Sequence, residues 1–211
     1  MPNGFYPVPG LDVLRIHRSE QGYPRTTWSQ FWDQCWAVTM TGPQGYAPQG
    51  PLRLPSHTPS FDDVVEAARG VLAADATLSQ TAASAMWLDF KQREGGAVGE
   101  FCAYGFKDGK VHILHDLSVG AQAPPEFWQS DGAHHFEHPR VFIEPSGLKS
   151  YGQLPPSFRF RFDDMHELAV SSVPLHYTKH WPPKNILDMA MLALCRSERR
   201  DILMALWKQD E

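Results

Sequence analysis

The sequence has few cysteines and no long apolar segment, and each shortage excludes a class of protein. Its 211 residues include three cysteines, Cys35, Cys102 and Cys195. An odd number without paired spacing does not form the framework of a disulfide-stabilised secreted domain. No run approaches the ~18 apolar residues of a membrane-spanning helix, and the N-terminus lacks the basic and apolar regions of a signal peptide. We therefore expect a cytoplasmic protein, although a chain exported by a signal-free route would look the same.

A surplus of positive charge is also absent. The formal net charge is −5 at pH 7, so there is no electrostatic reason to expect a nucleic-acid partner. The one basic run, Arg196 to Arg200, is interrupted by Ser197 and Glu198 and is typical of a solvated helix face. The expected partner is another protein, with neither nucleic acid nor membrane bound, and the oligomeric state stays open.

The composition is that of a folded globular protein. Hydrophobic residues make up 42% and charged residues 20% of the chain, which argues against disorder. The length suits a single domain over residues 1–211, with an internal linker at 42–59 that is rich in proline and glycine. The predicted elements are grouped: three helices, then a hairpin and two strands, then two helices. Grouping predicts an α+β fold with a mostly antiparallel sheet of about four strands and helices packed against it.

Apolar spacing predicts the helices. Residues 26–37 and 79–93 each show helical periodicity, and the latter segment is followed by Gly95-Gly96. Ser60-Phe61-Asp62-Asp63 opens another helix with a capping-box pattern. After the strands, we expect a short helix over 165–170 and two C-terminal helices, which bury apolar residues of 186–194 and 202–207.

Three tryptophans are four residues apart in the first predicted helix. Trp28, Trp32 and Trp36 would form one aromatic ridge. Such a ridge is either the core-facing side of the helix or an exposed anchor for a protein partner, because tryptophan is enriched at binding hot spots.

A hairpin is predicted around Asp108-Gly109, a pair that suits a type I′ turn. Its strands would be Phe101 to Lys107 and Lys110 to Leu117, with further strands at 140–144 and 157–163. Pairing outward from the turn places Cys102 opposite His115. A cysteine beside a histidine is the minimal activated nucleophile, and the same pair also arises by packing on an apolar sheet face.

Five of the ten histidines fall between His112 and His138. Imidazole is the commonest metal ligand. His134, His135, Glu137 and His138 supply enough groups for a zinc site, although the H-E-x-x-H spacing is absent. The alternative is a polar, partly exposed loop. His-Phe-Glu-His-Pro is similar to the His-x-His-Pro element of the MPN/JAB metallopeptidases, with Glu100 as the upstream glutamate, and this resemblance implies a metal-dependent hydrolase. The two histidines here are three residues apart instead of two.

A second resemblance involves Gln34-Cys35-Trp36-Ala37, which resembles the Cys-Trp-Ala block at the nucleophile of papain-like cysteine proteases. In that family the nucleophile begins a helix, whereas Cys35 falls near the end of the predicted helix on its apolar side. We expect Cys35 to be a small buried side chain. No Gly-x-Ser-x-Gly elbow, Gly-x-Gly-x-x-Gly or Walker-type loop is present.

Without a complete catalytic motif, the sequence favours a non-catalytic protein-binding module of inhibitor, immunity or adaptor type that needs no cofactor. The alternative is a hydrolase whose site lies between the 101–117 hairpin and the 134–138 loop. It would use either zinc held by the histidine cluster or Cys102 with His115.

Overall fold

The computed structural model describes residues 4–8, 11–16, 25–31, 33–41, 54, 58–79, 81–99, 101–115, 140–151, 158–172, 182–196 and 202–209. These segments form two antiparallel β-sheets and two α-helices. The helices are α1 (Phe61–Ala74) and α2 (Ile186–Arg196), and a short 3-10 turn follows α1 at Ala76–Leu78.

The first sheet, sheet A, has six strands. In spatial order they are β1 (Gly4–Val8), β2 (Leu11–Ile16), β13 (Ile202–Lys208), β12 (Glu167–Ser171), β7 (Cys102–Lys107) and β8 (Lys110–His115). Every neighbouring pair is antiparallel. The C-terminal strand β13 lies in the middle of the sheet, so the two ends of the chain meet there.

The second sheet, sheet B, has seven strands. Its main path runs through β10 (Gly147–Tyr151), β9 (Arg140–Glu144), β5 (Ala82–Asp89), β4 (Gln34–Thr41) and β3 (Arg25–Phe31). Strand β6 (Glu94–Val98) also pairs with β5, and β11 (Arg159–Arg161) pairs with β6.

The buried side chains form three layers of apolar contact. Between the sheets lies the inter-sheet core, to which β4 and β5 contribute Cys35 and Met86 and the other sheet contributes Ala103 and Trp207. A second cluster joins α1 to the outer face of sheet B, and a third joins α2 to the outer face of sheet A. The order of layers is therefore α1, sheet B, sheet A, α2, in which both faces of each sheet are covered.

Several sequence predictions are confirmed. Helix α1 begins at the Ser60 capping box, where the Asp63 backbone N–H donates to Ser60 Oγ and Asp63 Oδ2 accepts from the Ser60 N–H. The hairpin of β7 and β8 turns at Asp108 and Gly109, with φ of 53° and 67° as a type I′ turn requires. Strands occur at 140–144 and within 157–163, and α2 occupies the position expected of a C-terminal helix.

The helices predicted over 26–37 and 79–93 are wrong. The described residues of the first segment form strands β3 and β4, which pair with each other, and the second segment contains β5 and the turn that precedes β6. Strand β5 is buried at seven of its eight positions because helix α1 covers one face and sheet A the other. A strand buried on both faces shows no alternation, so its apolar spacing resembles that of a buried helix.

The predictions also fail near the C-terminus. Residues 165–170 mostly belong to strand β12, and the last predicted helix is strand β13. Helix α2 buries Ile186, Met189, Ala190 and Ala193, whereas Leu187, Met191 and Leu194 of the predicted buried stripe are exposed.

The α+β class is correct, but the predicted number of strands, about four, is too small. Most of the segments predicted to be helices are strands. Among the described residues, no helix is long and apolar enough to cross a membrane.

Candidate functional site

Four buried polar or nucleophilic side chains gather at the end of sheet A where β7 begins. Cys102 opens β7, Ser171 closes β12 directly opposite it, His115 closes the neighbouring strand β8, and Ser172 follows Ser171. Their exposed fractions are 2%, 0%, 6% and 7%, respectively. We call Cys102, His115, Ser171 and Ser172 the strand-end cluster. Its members come from three adjacent strands, whose ends antiparallel pairing brings to one edge.

A β-bulge decides how the cluster is arranged. Tyr104 pairs with Ile113 as expected from the turn, but the register then shifts and His115 pairs with Ala103. The predicted pairing of Cys102 with His115 is therefore wrong. Residues that pair directly share a face of the sheet and successive residues alternate. His115 thus shares a face with Ala103, which lies in the inter-sheet core, whereas Cys102 belongs to the cluster beneath α2.

His115 faces the second sheet. Its ring stacks on that of Phe160, with centroids 6.0 Å apart and planes inclined at 29°. Ser171 instead pairs with Cys102 and Met204 and lies on the face towards α2. The strand-end cluster therefore offers an imidazole on one face of sheet A and a thiol with a hydroxyl on the other. The roles of Cys102 as nucleophile and His115 as base remain predictions. The strand pairing that suggested these roles is not the one observed.

Sequence reasoning missed Ser171 and Ser172. Both follow a segment that was taken for a helix, so neither was placed at a strand end. The signal was present in Leu168-Ala169-Val170, a continuous apolar run of the kind found in strands buried on both faces.

Cys35 and Trp36 lie in the interior. Cys35 is fully buried in the inter-sheet core, and burial raises the pKa of its thiol far above the usual range. This position on strand β4 does not match the helix-starting nucleophile of the papain-like proteases, and it agrees with the small buried side chain that we expected.

The helix that would carry the aromatic ridge is not formed, because the described residues of this segment belong to strands β3 and β4. Trp36 is only 4% exposed and packs in the cluster with α1, so it is not a partner-binding anchor. Trp28 lies on β3 opposite Ala37, and Trp32 lies outside the described residues.

The predicted metal ligands His134, His135, Glu137 and His138 also lie outside the described residues, as does Glu100. Within the part of the chain that the structure describes, no group of three or more histidine, cysteine, aspartate or glutamate side chains is placed to hold a metal ion. The zinc site therefore stays a prediction.

No protein-family model and no curated protein matches the sequence. Solved structures do match the fold. The serine/threonine phosphatase Stp1 from Staphylococcus aureus superposes with a TM-score of 0.58 at 12% identity, covering 95% of each chain. The PPM Ser-Thr phosphatase MsPP from Mycobacterium smegmatis, solved with cacodylate, gives 0.53 at 13% identity over 95% of this chain and 98% of that one. The fold is that of the PPM phosphatases. The Mycobacterium tuberculosis serine/threonine phosphatase PstP/Ppp agrees, with a TM-score of 0.52 at 12% identity over 95% and 99% of the two chains.

This finding overturns the main functional prediction. A non-catalytic binding module of inhibitor, immunity or adaptor type is wrong as an interpretation of this chain, because the proteins that share its architecture along nearly their whole length are phosphatases. The alternative prediction, a hydrolase, agrees with the comparison. A compact sequence motif is not needed in this fold, which brings together residues that are far apart in the sequence, as Cys102 and Ser171 are.

Proposed function

We propose that this chain is a hydrolase that cleaves phosphate monoesters, in which water attacks phosphorus and releases an alcohol and inorganic phosphate. The observation that carries this proposal is the match to phosphatase structures over 95% of the chain. We propose phosphorylated serine or threonine side chains as the substrate, because the matched proteins are serine/threonine phosphatases.

We place the reaction at the strand-end cluster. The cluster brings an imidazole, two hydroxyls and a thiol from segments far apart in the sequence to one edge of sheet A, and polar groups that converge in this way are candidates for a functional site. His115 and Ser172 are the least buried members, at 6% and 7% exposed. In the proposed site the His115 imidazole accepts a proton from the attacking water, and the Ser172 hydroxyl donates to a phosphoryl oxygen.

Cys102 and Ser171 lie deeper and act as positioning residues. They face α2 rather than sheet B. They therefore stabilise the strand ends next to which His115 and Ser172 lie. Since no described set of residues fits a metal ion, we derive no step through one.

The test is hydrolysis of p-nitrophenyl phosphate and of a phosphoserine peptide by the purified protein, with phosphate release as the readout. His115→Asn should lower kcat by about a hundredfold or more, as loss of a general base does, while Ser172→Ala should lower it less. Ser146→Ala, an exposed position in the turn before β10, is the matched control and should have no effect. Circular dichroism would verify that each variant folds. Absence of phosphate release with Mg²⁺, Mn²⁺ or Zn²⁺ would refute the proposal.

The same assay distinguishes the two forms of the hydrolase alternative. If a chelator abolishes activity and the triple alanine variant of His134, His135 and His138 is equally inactive, the metal-dependent form is supported. If activity survives the chelator but is lost in Cys102→Ser, the thiol-dependent form is supported, with Cys102 reassigned as the nucleophile.

A further inference from the structure

The ring of His115 lies against a side chain of the opposite sheet. His115 ends β8 of sheet A, and its ring stacks on that of Phe160, the central residue of β11 in sheet B. The ring centroids are 6.0 Å apart and the planes are inclined at 29°. Both side chains are buried, at 6% and 7% exposed. The contact therefore joins the two sheets at the residue to which we assign the proton transfer.

The position of Phe160 is fixed by the backbone of β6. Phe160 pairs with Gly95, and a Cβ on Gly95 would lie 2.5 Å from Phe160 Cζ and 2.6 Å from Phe160 Cε2. The ring thus lies directly on the strand, in space that a side chain at residue 95 would fill. Phe162 packs beside it, with ring centroids 6.5 Å apart. In a close-packed core, a ring enclosed in this way keeps one position.

The direction of the Phe160 side chain follows from strand alternation. Its two neighbours on β11, Arg159 and Arg161, are exposed, whereas Phe160 belongs to the inter-sheet core. Arg159 Nη2 lies 2.9 Å from Asp62 Oδ2 of helix α1, and Arg161 Nε lies 2.6 Å from Asp163 Oδ2. Because successive side chains of a strand point to opposite faces, outward arginines on both sides direct Phe160 towards sheet A.

A stacked aromatic ring has two effects on a proton acceptor. It fixes the plane of the imidazole, and therefore the directions in which Nδ1 and Nε2 point, and a general base needs this because proton transfer requires an aligned hydrogen bond. It also presents the negative face of its π-system, which favours the positively charged imidazolium over the neutral ring. The second effect acts only while His115 carries the proton of the attacking water.

We propose that Phe160 is a positioning residue of the proposed active site, whose ring fixes the plane of the His115 imidazole and stabilises the imidazolium formed during hydrolysis. This role depends on the proposed function, since it requires His115 to accept a proton. In that reaction a water proton passes to His115, the water oxygen bonds to phosphorus, and the P–O bond to the alcohol breaks with its electron pair. The imidazolium then returns its proton to the alcohol oxygen. Phe160 takes no part in these bond changes and acts through His115.

The first test is a double-mutant cycle in the hydrolysis of p-nitrophenyl phosphate by the full chain. Phe160→Leu removes the ring but keeps an apolar side chain. It should lower kcat about tenfold with little change in KM, because proton transfer is impaired and substrate binding is not. In the His115→Asn background the same change should have no further effect.

The matched control for this cycle is Phe162→Leu. Phe162 is also a buried ring, at 1% exposed, but it packs against Phe90 and Trp207 as well as Phe160. Its replacement removes the same number of atoms from the same core and should leave kcat unchanged. Circular dichroism would verify that both leucine variants fold, so that a loss of kcat is not a loss of structure.

The second test needs no catalytic activity. In a ¹³C-edited NMR spectrum, the Cε1–H resonance of His115 is identified by its absence in His115→Asn. The ring current of Phe160 displaces this resonance, so Phe160→Leu should move it towards the position of an unstacked histidine. Gly95→Ala should also move it, because the added methyl group displaces the Phe160 ring. Gly96→Ala is the matched control, since its methyl group meets Phe61 on the other face of sheet B and should leave the resonance in place.

The two tests separate this role from the proposed function. An unchanged His115 resonance in Phe160→Leu would overturn the role, because the two rings would then not be stacked. A kcat equal to that of the wild type would overturn it too, as would an equally large loss in the His115→Asn background, and the proposed function would stand in both cases. Absence of phosphate release by the wild-type protein would overturn the proposed function and this role together.

Discussion

At the residue scale, the three cysteines illustrate how position sets chemistry. Cys35 is fully buried between the sheets, Cys102 is buried beneath α2 at the strand-end cluster, and Cys195 is exposed on α2. Burial in an apolar core disfavours the thiolate and raises the pKa of the Cys35 thiol. Only an accessible thiol reacts quickly with a solution reagent, because the thiolate is the nucleophile.

We therefore predict that one thiol per chain reacts rapidly with Ellman's reagent in the native protein and that all three react in denaturant. Cys195→Ser should remove the fast phase, while Cys35→Ala should leave it unchanged. Rapid modification of even one thiol in the native Cys195→Ser variant would contradict the prediction, because it would show that Cys35 or Cys102 is accessible.

The Ser60 capping box gives a second prediction at this scale. Ser60→Ala should lower the free energy of unfolding by about 1 kcal/mol at pH 7, the usual cost of losing an N-cap. The pKa of Asp63 is lowered first by the hydrogen bond from the Ser60 backbone N–H and then by that from its hydroxyl. A carboxyl whose pKa is lowered on folding stabilises the protein above its unfolded pKa and loses that contribution as pH falls through the folded value.

The difference between wild type and Ser60→Ala should therefore shrink below about pH 4, where Asp63 begins to protonate. Urea denaturation at neutral and acidic pH measures it, with exposed Ser146→Ala as the control. A difference that stays constant down to pH 2 would mean that Asp63 does not contribute through its charge.

At the element scale, β6 shows why two adjacent glycines belong in a strand. A Cβ on Gly96 would lie 2.5 Å from Phe61 Cγ, and one on Gly95 would lie 2.5 Å from Phe160 Cζ. The rings of α1 and of β11 therefore pack directly on the backbone of β6, from opposite faces of sheet B. Gly95-Gly96 does not end a helix, as the sequence predicts, and its role is to allow this close approach.

We predict that Gly96→Ala lowers the free energy of unfolding by about 1–3 kcal/mol or more, since the added methyl group overpacks a dense contact. Gly70→Ala is the matched control. Nothing lies within 4 Å of a Cβ built on Gly70 in α1, so this variant should be stabilised by up to ~1 kcal/mol through helix propensity. Thermal denaturation of both variants measures the difference between their changes in stability. Equal changes in the two variants would contradict the prediction.

At the scale of the whole molecule, the two sheets share one core. Phe162 is 1% exposed and lies near Phe90 and Trp207, with ring centroids 6.3 Å and 6.0 Å away. The Arg93 guanidinium lies 4.5 Å from the centroid of the same Trp207 ring. Because these contacts join β13 of one sheet to the β5–β6 turn of the other, the sheets should unfold together.

We predict that Phe162→Ala lowers the free energy of unfolding by about 3–5 kcal/mol, the usual cost of removing a buried aromatic ring. Unfolding should remain a single transition, with coincident curves from tryptophan fluorescence and far-ultraviolet circular dichroism. Two separated transitions would contradict the prediction that residues 1–211 form one domain.

The sequence is sufficient to predict those elements that depend only on interactions between neighbouring residues. The Ser60 capping box and the Asp108-Gly109 turn each depend on residues within a few positions of each other, and both were predicted correctly from the sequence. The α+β class was also recoverable, because antiparallel hairpins leave turn signals along the chain.

Only the tertiary structure decided which apolar segments were strands, and therefore where the candidate site lies. Segments 26–37 and 79–93 have helical spacing, yet they contain strands β4 and β5, whose two faces are buried by the layers above and below them. The β8 bulge moves His115 away from Cys102, and the pairing of β12 with β7 brings Ser171 beside that cysteine. Sequence spacing does not encode these contacts, because the pairing of β12 with β7 joins segments more than fifty residues apart and the bulge leaves no mark in the apolar spacing of β8.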